Sequence, residues 1–99
     1  MIIHINGRRW FQKSYGNTYH TVTVNIDGEH VFSSGQEYGY GDQYQQTAWE
    51  WINANADKLG IEPLKVHANG GNEAVYQYVE RTGNKVVNTV SDVSRERDL

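Results

Sequence analysis

The 99 residues are enough for one domain with a modest core and too few for two. A net charge of −3, from twelve acidic and nine basic side chains, argues against a general nucleic-acid binder, because such proteins rely on excess lysine and arginine. The absence of cysteine excludes disulfides and thiolate metal sites. No stretch has the apolar length of a signal peptide or a membrane span, so we expect a soluble cytoplasmic protein.

The first third of the chain predicts an antiparallel meander. Asn6-Gly7 is the strongest two-residue hairpin signal, Tyr15-Gly16-Asn17 is a second turn, and Asp27-Gly28 is a third. Over residues 18–26, apolar and polar residues alternate with the period of a half-buried strand, which places His20 on the apolar face. The expected strands are residues 2–5, 8–14, 18–26 and 29–34.

A helix is expected over residues 43–58. Asp42 is a good N-cap residue, and Gln45 three positions later completes a capping-box pattern. Gly60 fits the left-handed position that ends a helix, and Pro63 prevents continuation.

Residues 73–82 are compatible with two structures. As a helix they would be capped by Asn72 and ended by Gly83, and as a strand they would pair with the segment that follows. Their alanine, glutamate and arginine content favours the helix. Residues 85–91 then form a last strand, and the alternating charges of about 94–99 suggest a partly mobile tail. The chain is therefore expected to be a single α+β domain over residues 1–99, with an antiparallel sheet of four to five strands packed against two helices.

The polar residues do not form a recognisable catalytic or metal pattern. His4, His20, His30 and His67 lack the spacing of a metal-binding motif, and no serine lies in a nucleophile-elbow context. His20 is expected to be a hydrogen-bonded structural imidazole. We predict no enzymatic activity, no metal and no cofactor.

Two segments suggest a binding site instead. In the first, arginines adjoin rings on a strand, so that a guanidinium could hold a phosphate while a ring stacks on a base. In the second, glycines separate tyrosines just before the helix of residues 43–58. The alternative is that the rings belong to the core and the arginines are solvated. The candidate ligand-binding residues are Arg8, Arg9, Trp10, Tyr38, Tyr40 and Tyr44.

Three segments stand out in combination: Gly7-Arg8-Arg9-Trp10-Phe11 with Gly16-Asn17-Thr18-Tyr19-His20, then Tyr38-Gly39-Tyr40-Gly41-Asp42-Gln43-Tyr44, then Asp92-Val93-Ser94-Arg95 running to Asp98-Leu99. Together they resemble a group of small proteins of tailed bacteriophages and prophages, and the likeness covers most of the chain. It assigns no ligand residue. Small phage proteins often act on host defence, as anti-CRISPR proteins or as sponges for cyclic nucleotide signals, which implies the host cytoplasm as the location.

The expected function is non-enzymatic binding of a small nucleotide-type ligand by a homo-oligomer that counters a host defence. The aromatic-rich, aliphatic-poor composition suggests either a thin core or an oligomer that buries additional surface. One alternative is a protein–protein inhibitor of a host defence complex, since exposed tyrosines are favoured at interfaces. Another is a single-stranded nucleic-acid binder with aromatic platforms.

Overall fold

A computed structural model describes all residues, Met1–Leu99, as a five-stranded sheet with a helical layer on one side. The strand order is β3-β2-β1-β5, and β4 pairs with the other end of β2. All pairings are antiparallel except that of β1 with β5. The α+β class is confirmed. The elements are β1 (Ile2–Gln12), β2 (Asn17–Ile26), β3 (Glu29–Ser33), β4 (Glu37–Tyr38), α1 (Gln43–Ala54), α2 (Ala56–Leu59), α3 (Val75–Thr82), β5 (Lys85–Val93) and a 3-10 turn (Glu96–Asp98).

The predicted hairpin at Asn6-Gly7 is wrong, because β1 runs straight through it. Gly7 is needed there for packing and not for turning. A Cβ at this position would lie 2.5 Å from the ring of Tyr44, so only glycine lets α1 approach the strand this closely. The first turn comes after Gln12, where Gly16 adopts a φ of 69° and donates its N–H to the Gln12 carbonyl.

The meander prediction holds for β1, β2 and β3 and fails for β5. The last strand lies beside β1 in parallel, with Ile3 opposite Val86. A parallel neighbour requires a long crossover, and the helical layer provides it between β4 and β5. Local alternation predicts that a strand exists but carries no information on which strand it joins.

The core lies between the helices and one face of the sheet. Ile3 and Ile5 of β1, with Val22 and Val24 of β2, are buried because alternate residues of a strand share one face. Ile52 of α1 is buried against them. Aromatic rings add the remaining volume, with Trp49 and Tyr78 packed edge to face at 5.1 Å. None of the helices has the length and apolar character required to cross a membrane.

The helical stretch predicted for residues 43–58 is divided in two. Asn55 interrupts it, since its side-chain amide donates to the Trp51 carbonyl, and α2 begins afterwards. The expected capping box does not form: Asp42 makes no side-chain cap bond, and the Gln45 amide donates to the Tyr44 hydroxyl. Gly60 does end α2 in the left-handed conformation, as predicted.

The helical alternative for residues 73–82 is correct. The helix, α3, starts at Val75 with Ala74 in the cap position, so the predicted cap residue Asn72 is wrong. Gly83 ends it with a φ of 76°, as expected.

Candidate functional site

The sheet face opposite the helices carries a row of aromatic rings. Strand registers place Trp10 of β1 opposite Tyr19 of β2, and Tyr19 opposite Tyr38 of β4. Trp10 and Tyr19 are stacked with centroids 6.0 Å apart, and Tyr38 meets Tyr19 edge-on at 5.7 Å. Tyr38 is 63% exposed, so one ring at the end of this aromatic row (Trp10, Tyr19 and Tyr38) is accessible for stacking.

Arg8 lies two residues from Trp10 on the same face, about 7 Å along the strand. It forms no ion pair, and its only hydrogen-bond partner is the backbone carbonyl of Asp98, at 3.4 Å. This distance is long for a hydrogen bond, so the guanidinium retains its capacity to donate to a further acceptor.

Next to the aromatic row, Arg8 borders a cavity of about 200 Å³. Four hydroxyl groups and one amide line it, which gives the cavity both donors and acceptors. We call the aromatic row, Arg8 and this cavity the open-face site. The polar lining residues are Asn6, Thr21, Thr23, Ser33 and Ser34.

The segment after β5 crosses this face. Its 3-10 turn (Glu96–Asp98) is joined to the β3–β4 connection by a hydrogen bond from the Gln36 amide to the Glu96 carboxylate, at 3.3 Å. Leu99 lines the cavity beside Arg8. Residues 94–99, expected to form a partly mobile tail, therefore border the open-face site.

Arg9 is not part of this site, which corrects its place among the candidates. Its side chain points to the helical side of the sheet, where Nε and Nη2 donate to the two carboxylate oxygens of Asp92 at 2.7 and 3.2 Å. Nη1 donates to the Gly41 carbonyl at 3.0 Å. The Asp92 hydrogen bond raises the pKa of Arg9. These bonds join β5 to the loop before α1 and leave Arg9 unavailable to a ligand.

Tyr44 is also excluded from the candidate set. Only 3% of its surface is exposed, and its ring packs against Gly7 in the core. The glycine spacing before α1 did not distinguish a ring that faces solvent from one that faces the sheet. Tyr44 lies in the first turn of α1, so the packing of α1 on β1 determines which way its side chain points.

Tyr40 lies apart from Arg8. It is exposed and lines, with Tyr38, an open depression of about 570 Å³ at the start of α1. Asp42 and two glutamines line the same depression. No arginine or lysine lines the depression, and the Asp42 carboxylate would repel a phosphate, so it is a poorer anion site than the surface around Arg8.

Arg81 is bound within the fold and lies outside the open-face site. It donates to both carboxylate oxygens of the buried Glu73 at 3.0 and 2.8 Å. These hydrogen bonds lower the pKa of Glu73 to about 2. The Glu73 carboxylate also accepts the Lys65 N–H, so the pair fixes the segment before α3.

His20 has the structural role predicted for it. The imidazole is buried, with Nδ1 3.2 Å from the Gly39 carbonyl and Nε2 2.7 Å from the Thr47 hydroxyl. The carbonyl can only accept, so Nδ1 carries the hydrogen. His20 thereby links β2 to the loop before α1 and to α1 itself.

Tyr19 is the residue of the aromatic row that the sequence interpretation missed. Its signal was present: Tyr19 alternates with His20 in a strand whose other face is apolar, so it had to point away from the core. Its contact with Trp10 depends on the register of β1 against β2, which the sequence interpretation did not assign.

No protein-family model matches the chain, no curated protein matches it, and no solved structure matches its fold at a significant level. The geometry of the open face is therefore the basis for a functional conclusion.

Proposed function

We propose that the protein binds a small nucleotide-type ligand at the open-face site and does not chemically change it. The observation that carries this proposal is an unpaired arginine, Arg8, beside an aromatic row on the side of the sheet without helices. A base would stack on Tyr38, and a phosphate would accept two parallel hydrogen bonds from the Arg8 guanidinium. The hydroxyl groups of Thr21 and Ser33 would bind a ribose or a second phosphate.

The charge distribution favours a small ligand over a nucleic-acid strand. A strand is bound through a series of cationic contacts to successive phosphates. On β1 and β2 of the open face, Arg8 is the only arginine or lysine, and the chain as a whole carries −3. The segment that crosses this face adds Arg95 and Arg97, but Glu96 and Asp98 alternate with them, so the face has no row of cations for successive phosphates.

The resemblance to phage proteins suggests the biological setting. A binding protein without catalysis can change a nucleotide signal only by holding it. We therefore propose that the protein sequesters a nucleotide signal of a host defence in the host cytoplasm. The second candidate, inhibition of a host defence complex by direct contact, is favoured by the exposed tyrosines away from the site, among them Tyr15 and Tyr76.

Calorimetric titration with mono-, di- and cyclic nucleotides tests the proposal. Arg8→Ala should abolish measurable binding, and Tyr38→Ala should weaken it about tenfold or more, since a stacked base contributes roughly 1–3 kcal/mol. Tyr15→Ala is the matched control, because Tyr15 is a similarly exposed tyrosine in the turn after β1. Absence of binding to every nucleotide, or binding unchanged by Arg8→Ala, would refute the proposal.

Salt dependence and affinity capture separate the alternatives. A small ligand with one or two phosphates should lose little affinity as salt rises, whereas a single strand loses affinity steeply in proportion to the phosphates contacted. An inhibitor of a defence complex would bind no nucleotide and would co-purify with a host protein whose contact is broken by Tyr76→Ala or Tyr15→Ala.

A further inference from the structure

The β5 strand has an unoccupied hydrogen-bonding edge. It is last in the strand order, with β1 on one side and no strand on the other. Lys85 donates its N–H to the Met1 carbonyl, so the backbone groups of Lys85 face β1. In a parallel ladder, residues that face one neighbour alternate with residues that face the other side. The N–H and C=O groups of Val86, Asn88, Val90 and Asp92 therefore point away from β1.

The opposite edge of the sheet has two features that prevent strand pairing, and β5 lacks both. The β3 edge is only five residues long and is interrupted by a register shift opposite Val24 and Asn25. The β5 edge is nine residues long, has no register shift or proline, and pairs evenly with β1 along its length. Natural proteins shield long regular edges because such edges pair with other strands.

Two valines of β5 are left exposed. Seven of its nine residues are exposed; five of these are polar or charged, and the other two are Val87 and Val90. Val86, near the start of the strand, packs against the core, whereas Val90, which also faces the helical side, is 37% exposed. Strand residues of this type are stabilised by neighbours across a strand pair.

We propose that β5 pairs antiparallel with β5 of a second copy of this chain. A two-fold axis perpendicular to the sheet would pass beside Asn88, so that Asn88 lies opposite the partner's Asn88. This register brings the outward-facing groups of both strands into about six reciprocal hydrogen bonds. It also places Val86 opposite the partner's Val90 on the helical face, and Val87 opposite the partner's Thr89 on the open face.

The strand is self-complementary in this register. Each valine of the exposed edge meets a β-branched residue, and the charged Lys85 meets the partner's Ser91, so no like charges oppose each other. Shifting the register by two residues would instead place Val86 opposite the partner's Asp92, whose carboxylate is already bound by Arg9. The side chains of β5 therefore complement those of a second β5, which favours a copy of this chain as the partner.

The accessible surface and the radius of gyration of the single chain are both larger than expected for a monomer of this size. A monomer of 11.3 kDa is expected to expose about 5,700 Å², and this chain exposes 6299 Å². Its radius of gyration of 14.1 Å also exceeds the roughly 12.6 Å expected for its length. A stable interface removes on the order of 800 Å² from each partner, which is comparable with the excess.

Pairing of this kind would form one continuous sheet with both open faces on the same side. If the proposed nucleotide function holds, the dimer presents two open-face sites on one surface. The pairing itself rests on the β5 edge alone and does not depend on that function.

Sedimentation equilibrium across a concentration series tests the pairing. The wild-type protein should approach twice 11.3 kDa. Asn88→Lys and Asn88→Asp should each dissociate the dimer, since like charges would then oppose each other at the axis, and an equimolar mixture of the two variants should restore it. His30→Lys, on the β3 edge, should leave the mass unchanged.

Cysteine cross-linking tests the register. The chain has no cysteine, so Asn88→Cys introduces a single thiol. Directly opposed residues of a hydrogen-bonded pair have Cα atoms about 5.5 Å apart, within the range of a disulfide. Asn88→Cys should therefore form a covalent dimer on oxidation, and His30→Cys should not.

A wild-type mass that stays at 11.3 kDa throughout the series would overturn the proposal. So would a dimer that persists in both Asn88 charge variants, or one that Asn88→Cys fails to cross-link, because the contact would then lie elsewhere. Circular dichroism of each variant verifies that it is folded. Nucleotide titration of the same samples reports on Arg8 separately, so a failed dimer and a failed ligand site give different results.

Discussion

Arg8 and Arg9 are neighbours in the chain, but their side chains lie on opposite faces of the sheet and differ in their contacts. Arg9 faces the helical layer and donates three hydrogen bonds, two to Asp92 and one to the Gly41 carbonyl. Arg8 faces solvent and has one long contact to a backbone carbonyl. The alternation of a strand thus decides which guanidinium holds the fold together and which remains available for binding.

The aromatic residues divide in the same way. On the helical side, Trp49 and Tyr78 supply core volume, and the Tyr78 hydroxyl donates to the Glu62 carbonyl at 2.6 Å. On the open side, Trp10 and Tyr38 flank Tyr19 without a covering helix. A domain with few aliphatic residues therefore uses its rings for two purposes, and burial distinguishes them. The covered face should determine stability, and the open face should determine recognition.

The test with the largest expected change in stability compares two isoleucines of β1, one on each face. Ile5 is fully buried on the covered face, and Ile2 is 48% exposed on the open face. Ile5→Ala should lower the free energy of unfolding by about 2–5 kcal/mol, because it leaves a cavity in the core. Ile2→Ala should lower it by less than about 1 kcal/mol. Urea denaturation measures both, and similar losses for the two variants would contradict the division.

A second test uses the arginine of the covered face. Arg9→Ala removes the bidentate bond to Asp92 and the bond to the Gly41 carbonyl. Because Asp92 is largely exposed, solvent screens the pair, and we expect a loss of about 1–2 kcal/mol of unfolding free energy. Arg9→Lys keeps the charge but not the fork, so it should recover only part of the loss. Full stability in Arg9→Ala would mean that the three bonds are not needed to hold β5 and the loop before α1.

The strand and helix predictions show what local patterns can determine. The alternation of residues 18–26 correctly placed His20 inside, and Gly60 and Gly83 correctly ended α2 and α3 because a left-handed residue is required there. Asn6-Gly7 misled because a glycine required by a neighbouring ring looks identical, in sequence, to one required by a turn.

The candidate site was only partly predictable for a related reason. Arg8, Trp10 and Tyr38 lie together, whereas Arg9 and Tyr44 belong to the covered face. Separating them needed the direction of β1 relative to α1 and the register of β1 against β2. Both are properties of tertiary packing, which no local pattern records.

The third test concerns the buried carboxylate of the helical layer. Arg81 and the Lys65 N–H hold the pKa of Glu73 at about 2, below its usual 4.5. The folded protein therefore binds fewer protons here than the unfolded chain, so the stabilisation is present above pH 4.5 and is lost as the pH falls toward 2. Wild type should lose stability over that range, and Glu73→Gln should reduce the loss.

Urea midpoints at several pH values between 7 and 2 measure this effect. Glu80→Gln is the control, because Glu80 is an exposed carboxylate on the same helix and removing it deletes a charge without breaking the Arg81 contacts. A pH profile identical in wild type and Glu73→Gln would show that the Glu73–Arg81 pair does not contribute to acid sensitivity.

The smallest expected effect on stability is also the most informative about function. Arg8→Ala deletes a guanidinium that has no ion pair and one weak contact, so the free energy of unfolding should change by less than about 0.5 kcal/mol. Differential scanning calorimetry of Arg8→Ala beside Arg9→Ala checks this for two residues of identical chemistry at adjacent positions. A negligible change in Arg8→Ala would agree with a guanidinium that is free to bind a ligand. A large loss of stability in Arg8→Ala would show that this arginine has a structural role. The main observation that supports a ligand site on the open face would then be removed.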